Sequence, residues 1–261
     1  MSDNVFEYKL GRKPATHPVG YRLIDSYTSP LPTSPAKFDH TNGFNEFHML
    51  GNGPDATLTV NNRVPVGDCA FVGTVNVHVI DAIETKEPIV FPSSDETVST
   101  YLAYNHGHDV GANLNQLLAY WHRIGLPWDG KLPAYAALNY RDQQAFWDGV
   151  NAFGCGYLGI VVTETMMLQS QANEPWDLTG LHTDDHVLGG HCVVAIARDG
   201  DDGEVVTWGK RQKFTSRWFA RNVEEAHVVL TSGQVAHKGD GYGIDLDHLQ
   251  SDLKAIQAAG V

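Results

Sequence analysis

Cys69 and His191, about 120 positions apart, carry the side chains that thiol chemistry needs. Cys69 follows the loop Val66-Gly67-Asp68 and opens an apolar run that extends to about Glu84, so its thiol sits at a predicted helix start. Unpaired N–H groups and the positive end of the helix dipole favour an anion there, which lowers a thiol pKa and supplies thiolate near neutral pH. His191 follows Gly189-Gly190 and opens the run Cys192-Val193-Val194-Ala195, at the mouth of a predicted strand. A thiolate and an imidazole that meet in space form a nucleophile and a base for acyl transfer, provided that donors exist for the oxyanion. Each residue alone says little, because a cysteine on an apolar helix is usually packing and the chain holds 13 histidines. Cys155 reads as a core residue. So does Cys192, which strand alternation turns to the face opposite His191.

Other polar clusters are weaker. His182, Asp184, Asp185 and His186 have the donor types for zinc or a harder ion, but a solvated loop at a cleft edge accounts for them better. Asp199, Asp201 and Asp202 lack the spacing and terminal glutamate of an EF-hand and read as a hairpin tip. His106, His108 and Asp109 read as a turn after a helix. The expectation is no metal and no cofactor.

A chain of 261 residues, 42% hydrophobic with 26 glycines, has enough apolar content for a sizeable core. Its net charge of -13 excludes a basic nucleic-acid-binding stripe and disfavours docking on anionic membranes. No apolar run approaches the ~18 residues that would span a bilayer. Three cysteines without a CxxC spacing are not a disulfide framework. Met1 to Glu7 has neither a basic nor an apolar signal region, so synthesis in a reducing cytosol is expected, with incorporation into a virion as a further option.

These residues need elements to hold them. Residues 1–48 contain five of the 12 prolines and no helical period, but Phe6, Tyr8, Tyr21, Leu23, Ile24, Tyr27 and Phe38 are apolar anchors. An ordered, extended, proline-rich strap is predicted, followed by the main domain over 49–235, to which the family resemblance given below applies, and a helical extension over 236–261. Helices are predicted from Cys69 to Ile83, Ser94 to Tyr104 with Ser94 as cap, Leu114 to Ile124, Arg141 to Phe153, Thr215 to Asn222 and Leu246 to Ala259. Strands are predicted from Lys131 to Leu138, Cys155 to Thr163, Gly190 to Arg198, Glu204 to Trp208 and Ala226 to Leu230, and residues 164–188 as irregular. Helices dominate the first half and antiparallel strands the second, an α+β pattern.

A cysteine opening a long helix, then a Gly-His strand, a Gly/Asp hairpin and a strand ending in Thr207-Trp208-Gly209 resembles the papain-like cysteine peptidases. The chain is more similar still to a divergent group of these seen in actinobacteria and their phages. The matching segments are Leu50-Gly51-Asn52, Arg63 through Gly67-Asp68-Cys69, Trp121 with Gly125, Gly190-His191-Cys192-Val193, Thr207 to Lys210, Phe219 and Glu225-Ala226. The resemblance implies a helical half and a β-barrel-like half with the cleft between them. It also implies hydrolysis of a peptide or protein, phage structural proteins included, with Cys69 as nucleophile and His191 as base. The family's oxyanion glutamine falls on Arg63, leaving Asn61 or Asn62 as amide donor. Its asparagine falls on Val206, so Thr207, Glu204 or a loop aspartate must orient the imidazole, or nothing does. A non-catalytic, papain-derived structural or binding module is the rival expectation.

Overall fold

A computed structural model describes residues 8–52, 65–178, 185–238 and 243–259. Helix α1 (Cys69–Thr85) has 13 buried residues, and polar Asp68 stands at its N-cap. Its glycine and β-branched residues are poor helix formers, so burial stabilises it more than propensity does. Gly73 lets the helix lie directly on the sheet, since a Cβ there would sit 2.8 Å from Cys192 Sγ. Helices α2 (Ser94–Tyr104) and α3 (Leu114–Arg123) follow, capped by the Ser93 and Asn113 side chains. The cap of α2 lies one residue before the predicted Ser94. Gly125, with φ at +101°, turns the chain just after α3.

The strands are β1 (Lys37–Asp39), β2 (Ala134–Ala137), β3 (Gly156–Thr163), β4 (Val187–Asp199), β5 (Asp202–Thr207), β6 (Lys210–Phe214) and β7 (Val223–Leu230). They pair antiparallel in the order β2-β7-β3-β4-β5-β6, with β1 on β4. Helices α4 (Gln143–Phe153), α5 (Glu164–Ala172), α6 (Ser216–Asn222), α7 (Ser232–Lys238) and α8 (Leu246–Ala258) complete the described elements. This is a mixed α+β architecture, as the sequence predicts. No helix among the described residues is long and apolar enough to cross a membrane.

Three elements differ from the sequence reading. Helix α5 occupies part of the stretch predicted irregular; the Thr163 hydroxyl caps it and Met166 and Met167 anchor it in the core. Strand β6 has no apolar alternation to reveal it, since only Gln212 and Phe214 turn inward. Helix α7 begins with a reciprocal cap, in which Gln234 N–H donates to Thr231 Oγ1 and Thr231 N–H to Gln234 Oε1. That T-x-x-Q spacing is a readable signal.

Residues 8–36 have little regular structure, but they are tied to the rest of the fold. Arg12 bridges Ala112 in parallel, Leu23 bridges Ala137, and Ile24 and Tyr27 are buried. At the other end of the chain, α8 packs on β2, burying Leu249, Leu253 and Ile256.

Candidate active site

Cys69 and His191 line one small cavity of about 10 Å³, together with Asn52, Asn76, Cys192, Val206, Thr207 and Trp208. The first residue of α1 and the fifth residue of β4 therefore border the same cavity. Asp109 holds the loop before Cys69. Its carboxylate accepts from Gly67 N–H at 2.9 Å and from the Tyr101 hydroxyl at 2.6 Å, and it pairs with Lys9. The predicted turn after α2 thus braces the loop before Cys69, a role that local sequence does not reveal.

On the sheet side, His191 Nε2 lies 2.8 Å from Thr207 Oγ1, while Nδ1 is buried and makes no hydrogen bond to any of the described residues. Of the three orienting candidates, Thr207 is the one that reaches the imidazole. Glu204 instead binds Arg211 at 2.7 Å, and Val206 is buried beside the site. Trp208 stacks on the imidazole, with centroids 4.7 Å apart and planes 18° apart. Its φ of +45°, followed by +74° at Gly209, makes the tight β5–β6 turn. A tryptophan in the left-handed region is held at a cost of about 1–2 kcal/mol. The stack with His191 and a second stack with Tyr8, also at 4.7 Å, hold it there.

Residues 8–13 lie across this cleft. Gly11 O accepts from Ala112 N–H, Lys13 N–H donates to Ala112 O, and Arg12 N–H donates to Gly190 O at 3.0 Å. A side chain on Gly11 would collide with the carbonyl of Gly67. The backbone N–H groups of Gly11 and Cys192 point at the Cys69 sulfur. The Asn52 carboxamide, 2% exposed, donates to the carbonyl of Lys9 at 2.7 Å and to that of Val66 at 3.2 Å. It is a buried amide beside the thiol that the sequence reading missed. Its neighbour Leu50, with φ at +46°, forms the turn that aims it. The predicted oxyanion residues Asn61 and Asn62 lie outside the described residues, as do His182 and Asp184. Asp185 accepts from Thr165 N–H, and His186 lies 3.4 Å from Glu164.

The ionisation of the pair departs from the sequence reading. Burial lifts the Cys69 thiol to about 11, against the opposing pull of the Cys192 and Gly11 amides. Burial, and then the Arg12 charge, push His191 down to about 3. The expected thiolate at neutral pH is not what this closed arrangement holds. Desolvation under the strap outweighs the helix terminus, and the pair rests as thiol and neutral imidazole.

The sequence matches no protein-family model and no curated protein. Among solved structures, xylellain, a cysteine protease from Xylella fastidiosa, aligns with TM-score 0.65 and 13% identity over 87% of this chain and 97% of its own. This chain has a papain-like fold. Other papain-like relatives by structure are proCathepsin B S9 from Trypanosoma congolense, at TM-score 0.51 and 12% identity over 82% of this chain and 86% of that one, and digestive procathepsin L 3 of Tenebrio molitor larval midgut, at 0.50 and 12% over 81% and 76%.

Proposed function

We propose that this chain is a papain-like cysteine peptidase or amide hydrolase held latent by its own N-terminal strap. The observation that carries the reading is the state of His191: one ring nitrogen is held by Thr207, and the other has no hydrogen-bond partner among the described residues and lies in the cavity that it shares with Cys69. Once the strap leaves, water reaches the pair and the burial that keeps it neutral is relieved. Cys69 then attacks a substrate carbonyl carbon, and His191 Nδ1 takes the thiol proton and passes it to the leaving amine as the C–N bond breaks. Water hydrolyses the resulting thioester, regenerating the thiol. The Cys69 N–H and a carboxamide stabilise the oxyanion. Asn52 is a candidate for that carboxamide beside Asn61 and Asn62. Thr207 acts as a positioning residue. Its hydroxyl either accepts from Nε2 or donates to it, so it fixes the tautomer less firmly than an asparagine oxygen does.

The substrate proposed is a peptide or protein. Following the sequence resemblance to the group in actinobacteria and their phages, phage structural proteins are the first candidates, with the chain made in the cytoplasm and carried into a virion. A second reading, a papain-derived binding module without catalysis, is favoured by Val206 standing where the family has asparagine. Labelling with an irreversible papain-type inhibitor, followed by a peptide-library cleavage profile, separates the two. The peptidase reading requires that Cys69 be modified and that cleavage vanish in Cys69→Ala. Unchanged function in that variant leaves only the binding module.

A further inference from the structure

We propose that Cys69 and Cys192 form an oxidative modification site, in which a hydroperoxide oxidises Cys69 and Cys192 closes on it as a reversible disulfide. The proposal uses the strap release of the peptidase reading but not its catalysis. Cys192 directly follows His191 and is 4% exposed. The sequence reading makes it a core residue on the face away from the imidazole. The structure adds what else lies there. Cys192 lines the small cavity that Cys69 and His191 share, whereas Cys155, the third cysteine, does not. All three thiols are free.

Contacts from the helix and from the sheet hold the two thiols together. The Cys192 N–H points at the Cys69 sulfur. That nitrogen is three bonds from Cys192 Sγ, so rotation about the Cys192 χ1 torsion swings one sulfur towards the other. Gly73 stands one turn beyond Cys69 on the same face of α1. A Cβ there would lie 2.8 Å from Cys192 Sγ and 2.7 Å from Tyr157 Cε2, so the sulfur and the ring fill the space that a missing side chain leaves under the helix. Tyr157 pairs with Val194, two residues on from Cys192, so both side chains rise from one face of the sheet. The Tyr157 hydroxyl donates to the carbonyl of Ala70, the residue after Cys69, at 2.7 Å, and it lies within hydrogen-bond reach of the Cys192 thiol. One tyrosine thus pins the start of α1 to the strand that carries the second thiol. Packing here needs only a small side chain; the sulfur adds chemistry.

Residues 8–13 cover the Cys69 thiol, so the closed chain is protected and the open chain is sensitive. In the open chain His191 takes the thiol proton, and the Cys69 thiolate attacks the terminal oxygen of the hydroperoxide. The O–O bond breaks, an S–O bond forms, and the leaving alkoxide takes the proton from His191 as an alcohol, or as water when the oxidant is hydrogen peroxide. The Cys192 sulfur then attacks the Cys69 sulfenic acid. An S–S bond forms, the S–O bond breaks, and hydroxide leaves as water with the Cys192 proton. Two thiols are oxidised by two electrons and one hydroperoxide is reduced. Without a second thiol, the sulfenic acid proceeds under further oxidant to sulfinic acid, which thiols do not reduce. The disulfide instead returns to two thiols by exchange with a dithiol reductant.

The test treats the full chain carrying Arg12→Ala, which loosens the strap, with a small molar excess of hydrogen peroxide. Non-reducing peptide mapping should show the Cys69 peptide joined to the Cys192 peptide, with Cys155 free. Alkylation of Cys69 by iodoacetamide should fall at least ~10-fold and return on treatment with dithiothreitol. With Cys192→Ala added, the same dose should carry Cys69 to sulfinic acid, and dithiothreitol should no longer restore it. Phenylarsine oxide, which bridges paired thiols, needs no oxidant: it should protect Cys69 from alkylation at least ~10-fold better when Cys192 is present. If Cys192→Ala does not fold, the joined peptide in Arg12→Ala decides alone. No joined peptide, a Cys69 joined to Cys155 or to a second chain, or equal recovery with and without Cys192 overturns the proposal. Cleavage of peptides is read separately. A joined pair in a protein that cleaves nothing sinks the peptidase reading alone, and cleavage without a joined pair sinks this proposal alone.

Discussion

The Cys69–His191 pair and the Arg12–Glu225 pair are both deeply buried, with side-chain or residue exposures of 1–2%. Burial drives the first two to their neutral forms. It also pushes Glu225 upward, but His227 and Arg12 outweigh it and hold the carboxyl below its ordinary value. The difference lies in the partners. Glu225 has the Arg12 guanidinium and a His227 ring nitrogen within hydrogen-bond reach, whereas the described groups in contact with the imidazole are a hydroxyl and an indole. One segment of chain, residues 8–13, imposes both states: it covers Cys69 and His191 and supplies the charge beside Glu225. Latency and the Arg12–Glu225 pairing are therefore expected to be lost together.

The largest effect expected is on the chemical step. After strap release, Cys69→Ala and His191→Ala should each lower amide hydrolysis by at least ~1,000-fold, measured as kcat/KM on a fluorogenic peptide. Next comes Arg12→Ala, which leaves Glu225 buried without its cation, a change that costs about 3–5 kcal/mol. Hydrogen exchange should then show residues 8–14 losing protection while α1 and β4 keep theirs; uniform loss would mean that Arg12 supports the whole fold rather than the strap.

Acid should also loosen the strap. His191 titrates near its ordinary 6.5 when exposed and at about 3 when covered, so between those values the open form binds more protons. Closure therefore weakens as pH falls through 6.5, and Glu225, held low only while paired, adds to this below its ordinary 4.5. The thiol acts at the other end: with a covered value of about 11 against 9.0, closure weakens as pH rises above 9. Protection of residues 8–14, corrected for intrinsic exchange, should be greatest between about pH 6.5 and 9. A flat profile would detach the catalytic pair from strap closure.

Thr207→Val should lower kcat by about 10-fold with KM nearly unchanged, and Thr207→Asn should restore it, because a carboxamide oxygen accepts the Nε2 proton. If the fall does not shift the acidic limb of the pH–rate profile, the Thr207 contact is packing only. The smallest effect is expected at Lys37–Asp199, a 3.0 Å pair with side chains 77% and 74% exposed. Lys37→Ala should change stability by no more than ~0.5 kcal/mol and leave strap protection unaltered.

What could be read from the sequence follows the range of the forces involved. The start of α1 at Cys69, the stop after α3 at Gly125 and the His191 strand rest on local period and turn chemistry, and the structure has them within a few residues. Thr207 was one of three candidates, and only the fold shows its hydroxyl beside the imidazole. Asn52 and Glu225 lie in matched segments that carry no role by themselves, and Asp109 and the Arg12–Glu225 pairing have no local signal. The last of these joins residues 213 positions apart. The thiol was misjudged for the same reason: a helix terminus can be read from a few neighbouring residues, but burial by a distant strap cannot.

The most direct test of this account is the rate at which iodoacetamide alkylates Cys69 in the full chain at pH 7.5, read by peptide mapping with the buried Cys155 as internal reference. In the unmodified protein Cys69 should react as slowly as Cys155. In Arg12→Ala it should react ~100-fold faster or more, while Cys155 remains slow. A Cys69 that reacts rapidly under the intact strap, or stays as slow as Cys155 once the strap is loosened, would contradict the account.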